Sequence, residues 1–206
     1  MTLQDVFGAA LMETVGVPAR VRGFLRARRV WRRASERQDW AAFEVQSSQW
    51  DSAESIQCVV NVGAAPAPWL EFSRARDGGR AKTFSPASGI FWTRLGPGSA
   101  DDDVWWEIRD ESDAAVVASE IGNRMNETGF PLLAELLDRR LLTQRIRDGR
   151  MGEFSETNHV WLAVLLAEEG PSRELNETLA KASTVLDADA YAFASSWCQE
   201  RAHAVG

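Results

Sequence analysis

The feature that most constrains this chain is a double switch in hydrophobic periodicity. Apolar residues recur at helical spacing through Leu3, Val6, Phe7, Ala10, Leu11 and Val15. From Phe24 to about Arg109 they give way to the Val, Ile, Trp and Phe usage of strands, and after Glu111 helical spacing returns to the end. This order lacks the alternation of strand and helix that parallel units need, and short connections favour antiparallel neighbours. The expected fold is therefore α+β: an antiparallel sheet of about four to five strands with an N-terminal helix and a C-terminal helical layer.

Thr2 and Asp5 form a capping-box pair that opens a helix over 2–15, and Gly16 and Pro18 interrupt it. Candidate strands lie near 24–33, 39–47, 56–62, 90–95 and 104–109. Residues 64–89, rich in Pro, Gly, Ala and Ser, read as a long loop that is mobile or functional. Ser112 can cap a helix running to about Thr128 and stopped by Gly129, and leucines from Leu132 to Leu142 carry the pattern on to Gly149. Ser155 leads into an apolar segment, Val160 to Ala167, expected to be buried on most sides, and Pro171 and Asp187 mark two further helix starts. The chain thus divides into an α+β domain at 1–149 and a helical extension at 150–206 packed on the same core.

Composition narrows the function classes. With 45% hydrophobic and 26% charged residues among 206, the chain has the make-up of an ordinary globular protein. No apolar run approaches the roughly 18 residues of a membrane span, and the first residues lack a signal-peptide layout, so a cytoplasmic protein with no membrane partner is expected. Two cysteines and two histidines leave little room for a disulfide framework or a metal site.

Nine tryptophans stand beside a single tyrosine. Each carries an N–H that wants a partner, so some are expected to line a contact surface. Strand alternation sharpens this. Trp105 and Trp106 are adjacent, so in one strand they cannot both face the helices. Trp106 goes with Val104 and Ile108, leaving Trp105 on the second face, where Gln46, Asn61 and Arg94 can join it. A face of Trp, Arg and amides suits recognition, unless the late helices or the 64–89 segment cover it.

Charge is segregated as well. Residues 18–37 hold eight arginines and one glutamate, and residues 101–120 hold eight acids and one arginine. The first stretch, with Arg26, Arg28, Arg32 and Arg33, offers a basic strip for nucleic acid with Trp31 and Trp40 available for stacking. The plainer reading is that the two stretches lie close together and neutralise each other, and a net charge of −7 disfavours a polyanionic partner.

Short catalytic signatures are missing: there is no phosphate-binding loop, no dinucleotide fingerprint and no nucleophile–histidine spacing. Glu156 and His159 are spaced like one arm of a carboxylate-bridged metal site, without a second arm. Asp101, Asp102 and Asp103 read as solvated turn carboxylates, and Cys58 and Cys198 as packed, inert thiols. No catalytic residue, metal or cofactor is expected.

The run Gly23-Phe24-Leu25-Arg26 with Trp31-Arg32-Arg33, then Gln46-Ser47-Ser48, Val59-Val60-Asn61-Val62-Gly63, Arg94-Leu95-Gly96 and Trp105-Trp106 resembles, in order, a bacterial family known only as domain of unknown function 4304. The resemblance covers roughly residues 3–140 and implies an α+β fold with no assigned activity or catalytic residues. The expected function is that of a non-catalytic binding protein for another protein, of the immunity or antitoxin type. The alternatives are a nucleic-acid binder through the 20–33 segment, and an enzyme with a polar sheet-face pocket around Gln46, Asn61, Arg94 and Glu44.

Overall fold

A computed structural model describes residues 2–48, 55–78, 84–98, 104–151 and 158–206. Trp50, Lys82, Asp101–Asp103, Ser155 and Glu156 lie outside the described residues.

The fold is α+β. Helix α1 (Leu3–Leu11) leads through α2 (Val17–Val21) into strands β1 (Leu25–Ala27), β2 (Val30–Ala34), β3 (Trp40–Ser47) and β4 (Ile56–Ala65). Helix α3 (Ala67–Arg76) comes next, then β5 (Phe91–Leu95), β6 (Trp106–Ile108), α4 (Glu111–Arg124), α5 (Phe130–Leu137), α6 (Arg139–Arg147), α7 (Asn158–Leu166), α8 (Arg173–Ala182) and α9 (Ala188–Val205). The six strands form one antiparallel sheet in the order β1-β2-β3-β4-β5, with β6 also paired to β4. The expected strand at 24–33 is a hairpin, because Arg28 takes a left-handed φ of 60° and turns the chain between β1 and β2.

One face of the sheet is packed by the first and fourth helical segments. Phe7, Leu11 and Val15 meet Phe43, Val60, Val62, Trp106 and Ile108 in a single buried cluster with Ile121, Met125 and Phe130. Phe43 lies at its centre, stacked on Trp31 at 4.8 Å and edge-on to Phe130 at 5.7 Å.

Gly16 and Gly129 read in the sequence as helix breaks, and neither ends its helix. Both sit in a widened π turn, Met12–Gly16 and Met125–Gly129, after which the helix resumes with a proline in its first turn, Pro18 or Pro131. The wider turn replaces a bond that proline cannot donate: the N–H of Val17 reaches back to the Met12 carbonyl, and that of Phe130 to Met125. In both turns the methionine folds over the glycine, where a Cβ would stand 2.7 Å from Met12 Cε or 2.5 Å from Met125 Sδ. The two segments share one pattern, Met-x-x-x-Gly-x-Pro. They pack on each other at close range, since a Cβ on Gly122 would stand 3.0 Å from the Thr14 carbonyl oxygen.

Three other expectations change. The 64–89 stretch is not a bare loop: Pro66 and Pro68 pre-set the first turn of α3, and Pro86–Ser88 form a short 3-10 turn. Helix α4 is capped by Asp110, whose carboxylate accepts the Asp113 N–H at 2.9 Å, and not by Ser112. Ser172, one residue beyond Pro171, caps α8. The apolar segment behaves as expected, with Val160, Trp161 and Ala163–Ala167 all buried. It forms the centre of a second cluster with Leu175, Leu179, Ala194 and Cys198, to which α3 contributes Phe72.

One buried polar contact ties distant segments together. Asp39 is 3% exposed and accepts the Ala67 N–H at 2.8 Å, and Arg139 grips both of its carboxylate oxygens. A single carboxylate thereby fixes the start of α3 and the start of α6 to the end of the sheet. Among the described residues no helix is long and apolar enough to cross a membrane.

Candidate binding face and groove

The register sorts β2–β6 into two opposed sets of side chains. On the face turned away from α1, α4 and α5, Glu44, Asn61 and Arg94 form one row across three strands, because Asn61 pairs with Glu44 of β3 and Arg94 of β5. Gln46 adjoins them, and its Oε1 accepts from Asn61 Nδ2 at 2.6 Å. Trp92, also on this face, holds the Arg94 guanidinium 5.3 Å from its ring centre.

Trp105 reaches the same place by a different route. Strands β5 and β6 share one edge of β4, with Leu95 opposite Val60 and Trp106 opposite Cys58, so their ends meet beside Val59. That junction requires Gly96, where a Cβ would stand 2.5 Å from the Val104 carbonyl oxygen. Trp106 faces the core, 4% exposed, and donates its indole N–H to Glu120 at 2.9 Å. Trp105 faces the other way, half-buried, with the Arg94 guanidinium 5.6 Å from its ring centre. The structure therefore brings Gln46, Asn61, Arg94 and Trp105 together, with Glu44 in the same row.

Asn61 is the most telling member. It is 5% exposed, and among the described residues its Oδ1 has no hydrogen-bond partner although its amide nitrogen is used. A buried acceptor left unmatched costs free energy, so Asn61 is held here by its surroundings at the expense of some stability. The face thus gathers two amides, a guanidinium set against two indole rings and one carboxylate.

The far end of this face is covered. Phe84 packs on Ala42 and Ala65, with Trp40, Trp69 and Leu70 around them. Gly63 lets that segment lie flat on β4, since a Cβ there would stand 2.4 Å from the Pro86 carbonyl oxygen. Beyond this cover opens a groove of about 1240 Å³ between α3, the 84–89 segment, α7 and α9. Sequence reasoning did not find it, because its walls come from residues as far apart as Arg32 and Ala194.

The arginine-rich stretch does not form one strip. Neighbouring positions in β2 send Arg32 to the polar face and Arg33 to the helix-covered face. Arg26 lies over the Trp31 ring at 5.0 Å, on the helix side, and Arg28 occupies the hairpin turn. Among the described residues no ion pair joins the 18–37 stretch to the acidic 104–120 stretch. His159 is half-buried at the start of α7, and among the described residues no group of three His, Cys, Asp or Glu is placed to hold a metal. Cys58 and Cys198 are both buried, and burial pushes the Cys198 thiol up to about 12.

Comparison with known families points to the part of the chain that carries the sheet. A domain of unknown function, DUF4304, matches residues 15–135. The chain belongs to the DUF4304 family. No curated protein and no solved structure matches it. The matched span holds every residue of the polar face, whereas α6 to α9 lie outside it. The groove is therefore walled partly by the DUF4304 region, through α3 and the 84–89 segment, and partly by α7 and α9.

Proposed function

We propose that this DUF4304 protein is a non-catalytic binding protein whose polar sheet face, built on Gln46, Asn61, Arg94 and Trp105, recognises another protein. The observation that carries the reading is the Arg94 guanidinium set against the rings of both Trp92 and Trp105, at 5.3 and 5.6 Å, beside the Gln46–Asn61 amide pair. Trp and Arg dominate the energetics of protein interfaces. The net charge of −7 favours a basic partner by speeding encounter, as in immunity and antitoxin-type neutralisers.

The test is purification of the tagged protein from its own host at moderate salt, with identification of whatever remains in equal amount. The expected result is one protein held at one to one. Trp105→Ala and Asn61→Ala should each weaken that complex at least about tenfold while the free protein stays folded by urea denaturation, Trp105→Ala losing about 0.5–1 kcal/mol and the buried Asn61→Ala about 1–3 kcal/mol. A stoichiometric partner that both variants retain unchanged overturns the assignment of the face. Nucleic acid held with a steep salt dependence overturns the assignment of the partner.

A further inference from the structure

We infer that the groove between α3, the 84–89 segment, α7 and α9 is a small-molecule site for a flat apolar compound bearing a single acidic group. It lies at the covered end of the polar sheet face, is lined by none of Gln46, Asn61, Arg94 and Trp105, and does not rest on the function proposed for them. Its volume of about 1240 Å³ is ample for an organic ligand of ordinary size. Its surface is aromatic, with Trp40, Trp69 and Phe193 half-buried around Phe84 and Trp161. These rings already pack edge-on and face-on among themselves, as Trp69 does with Phe72 at 5.3 Å and with Trp161 at 6.4 Å. Such walls select a planar, apolar body.

Charge on the walls selects the head group. Arg32 lines the strand side, half-buried, with its Nε donating to the Phe84 carbonyl at 2.5 Å. That bond fixes the plane of the guanidinium, and among the described residues its two terminal nitrogens have no protein partner, so the fork is held ready for an oxyanion. Arg74, exposed on α3, adds positive charge on the same lining. Of the acids, Asp77 is paired with Arg76 at 3.1 Å, and Asp187 is engaged in capping α9 through the Ala190 N–H at 2.8 Å. Asp187 and Asp189 make the α9 wall unfavourable for a second anion, which is why one acidic group, and not two, matches the groove.

The experiment uses the full chain and two probes of similar apolar body: the anion 8-anilinonaphthalene-1-sulfonate and its neutral counterpart N-phenyl-1-naphthylamine, followed by fluorescence and calorimetry. The folded protein should bind one equivalent of the sulfonate saturably. Arg32→Gln should weaken the sulfonate on the order of tenfold and leave the neutral probe within about twofold. Ala190→Trp, which fills the groove from α9, should abolish both. In the wild-type protein, raising salt should weaken the sulfonate and spare the neutral probe, an arm that holds even if Arg32→Gln does not fold. Absence of saturable one-to-one binding, equal salt response of the two probes, or retention of both probes in a folded Ala190→Trp variant would overturn the inference.

Discussion

The two faces of the sheet are made from alternate residues of the same strands and have opposite characters. Phe43, Val60, Val62 and Trp106 are sealed beneath α1, α4 and α5, and each side chain there is held by several others. One position along, Glu44, Asn61 and Arg94 form a polar row in which, among the described residues, the buried Asn61 Oδ1 is left unmatched. The first face stabilises the fold by removing apolar area from water. The second gives up some of that stabilisation to hold specific groups in place.

The largest test of this contrast is the adjacent tryptophan pair. Trp106→Ala should cost about 3–5 kcal/mol by urea denaturation, because it opens a cavity in the core and strips Glu120 of its donor. An equal loss in Trp105→Ala would erase the distinction between the faces. Next in size is Gly63→Ala. Its methyl must displace the Pro86 backbone, so a loss of about 1–3 kcal/mol is expected, together with altered order in the 84–89 segment by hydrogen exchange. Trp105→Ala itself should cost about 0.5–1 kcal/mol, the scale of a cation–π contact that is only partly withdrawn from water.

The smallest effect concerns Asp110, the α4 cap. Its bonds from Ser112 and the Asp113 N–H hold its carboxyl below the usual range. A lowered folded pKa means stability that is present above the unfolded carboxylate pKa and is lost as pH falls through the folded one. Asp110→Ala should therefore lower the melting temperature slightly at pH 7, with the gap to wild type closing in acid. A gap that widened in acid would reverse the assignment.

The polar face was legible because strand alternation is a local rule. Once Trp105 and Trp106 are assigned to a strand, stereochemistry alone sends them to opposite sides, and Gln46, Asn61 and Arg94 sort by the same parity. The paired π turns were less legible. Glycine followed two positions later by proline ordinarily signals a helix end, and only the tertiary packing of both segments shows the helix widening and continuing. The missed α3 did carry a signal, two prolines placed where a first helical turn tolerates them, masked by the loop-like composition around it.

What the chain's own sequence determined is thus the class of fold, the order of its elements and the parity of each strand, since these depend on residues a few positions apart. The meeting of β5 and β6 at Gly96, the clamp of Asp39 on Arg139 and the groove behind Phe84 were decided only by tertiary structure. Each joins segments distant in the chain, and no local periodicity encodes which distant partner will close the contact.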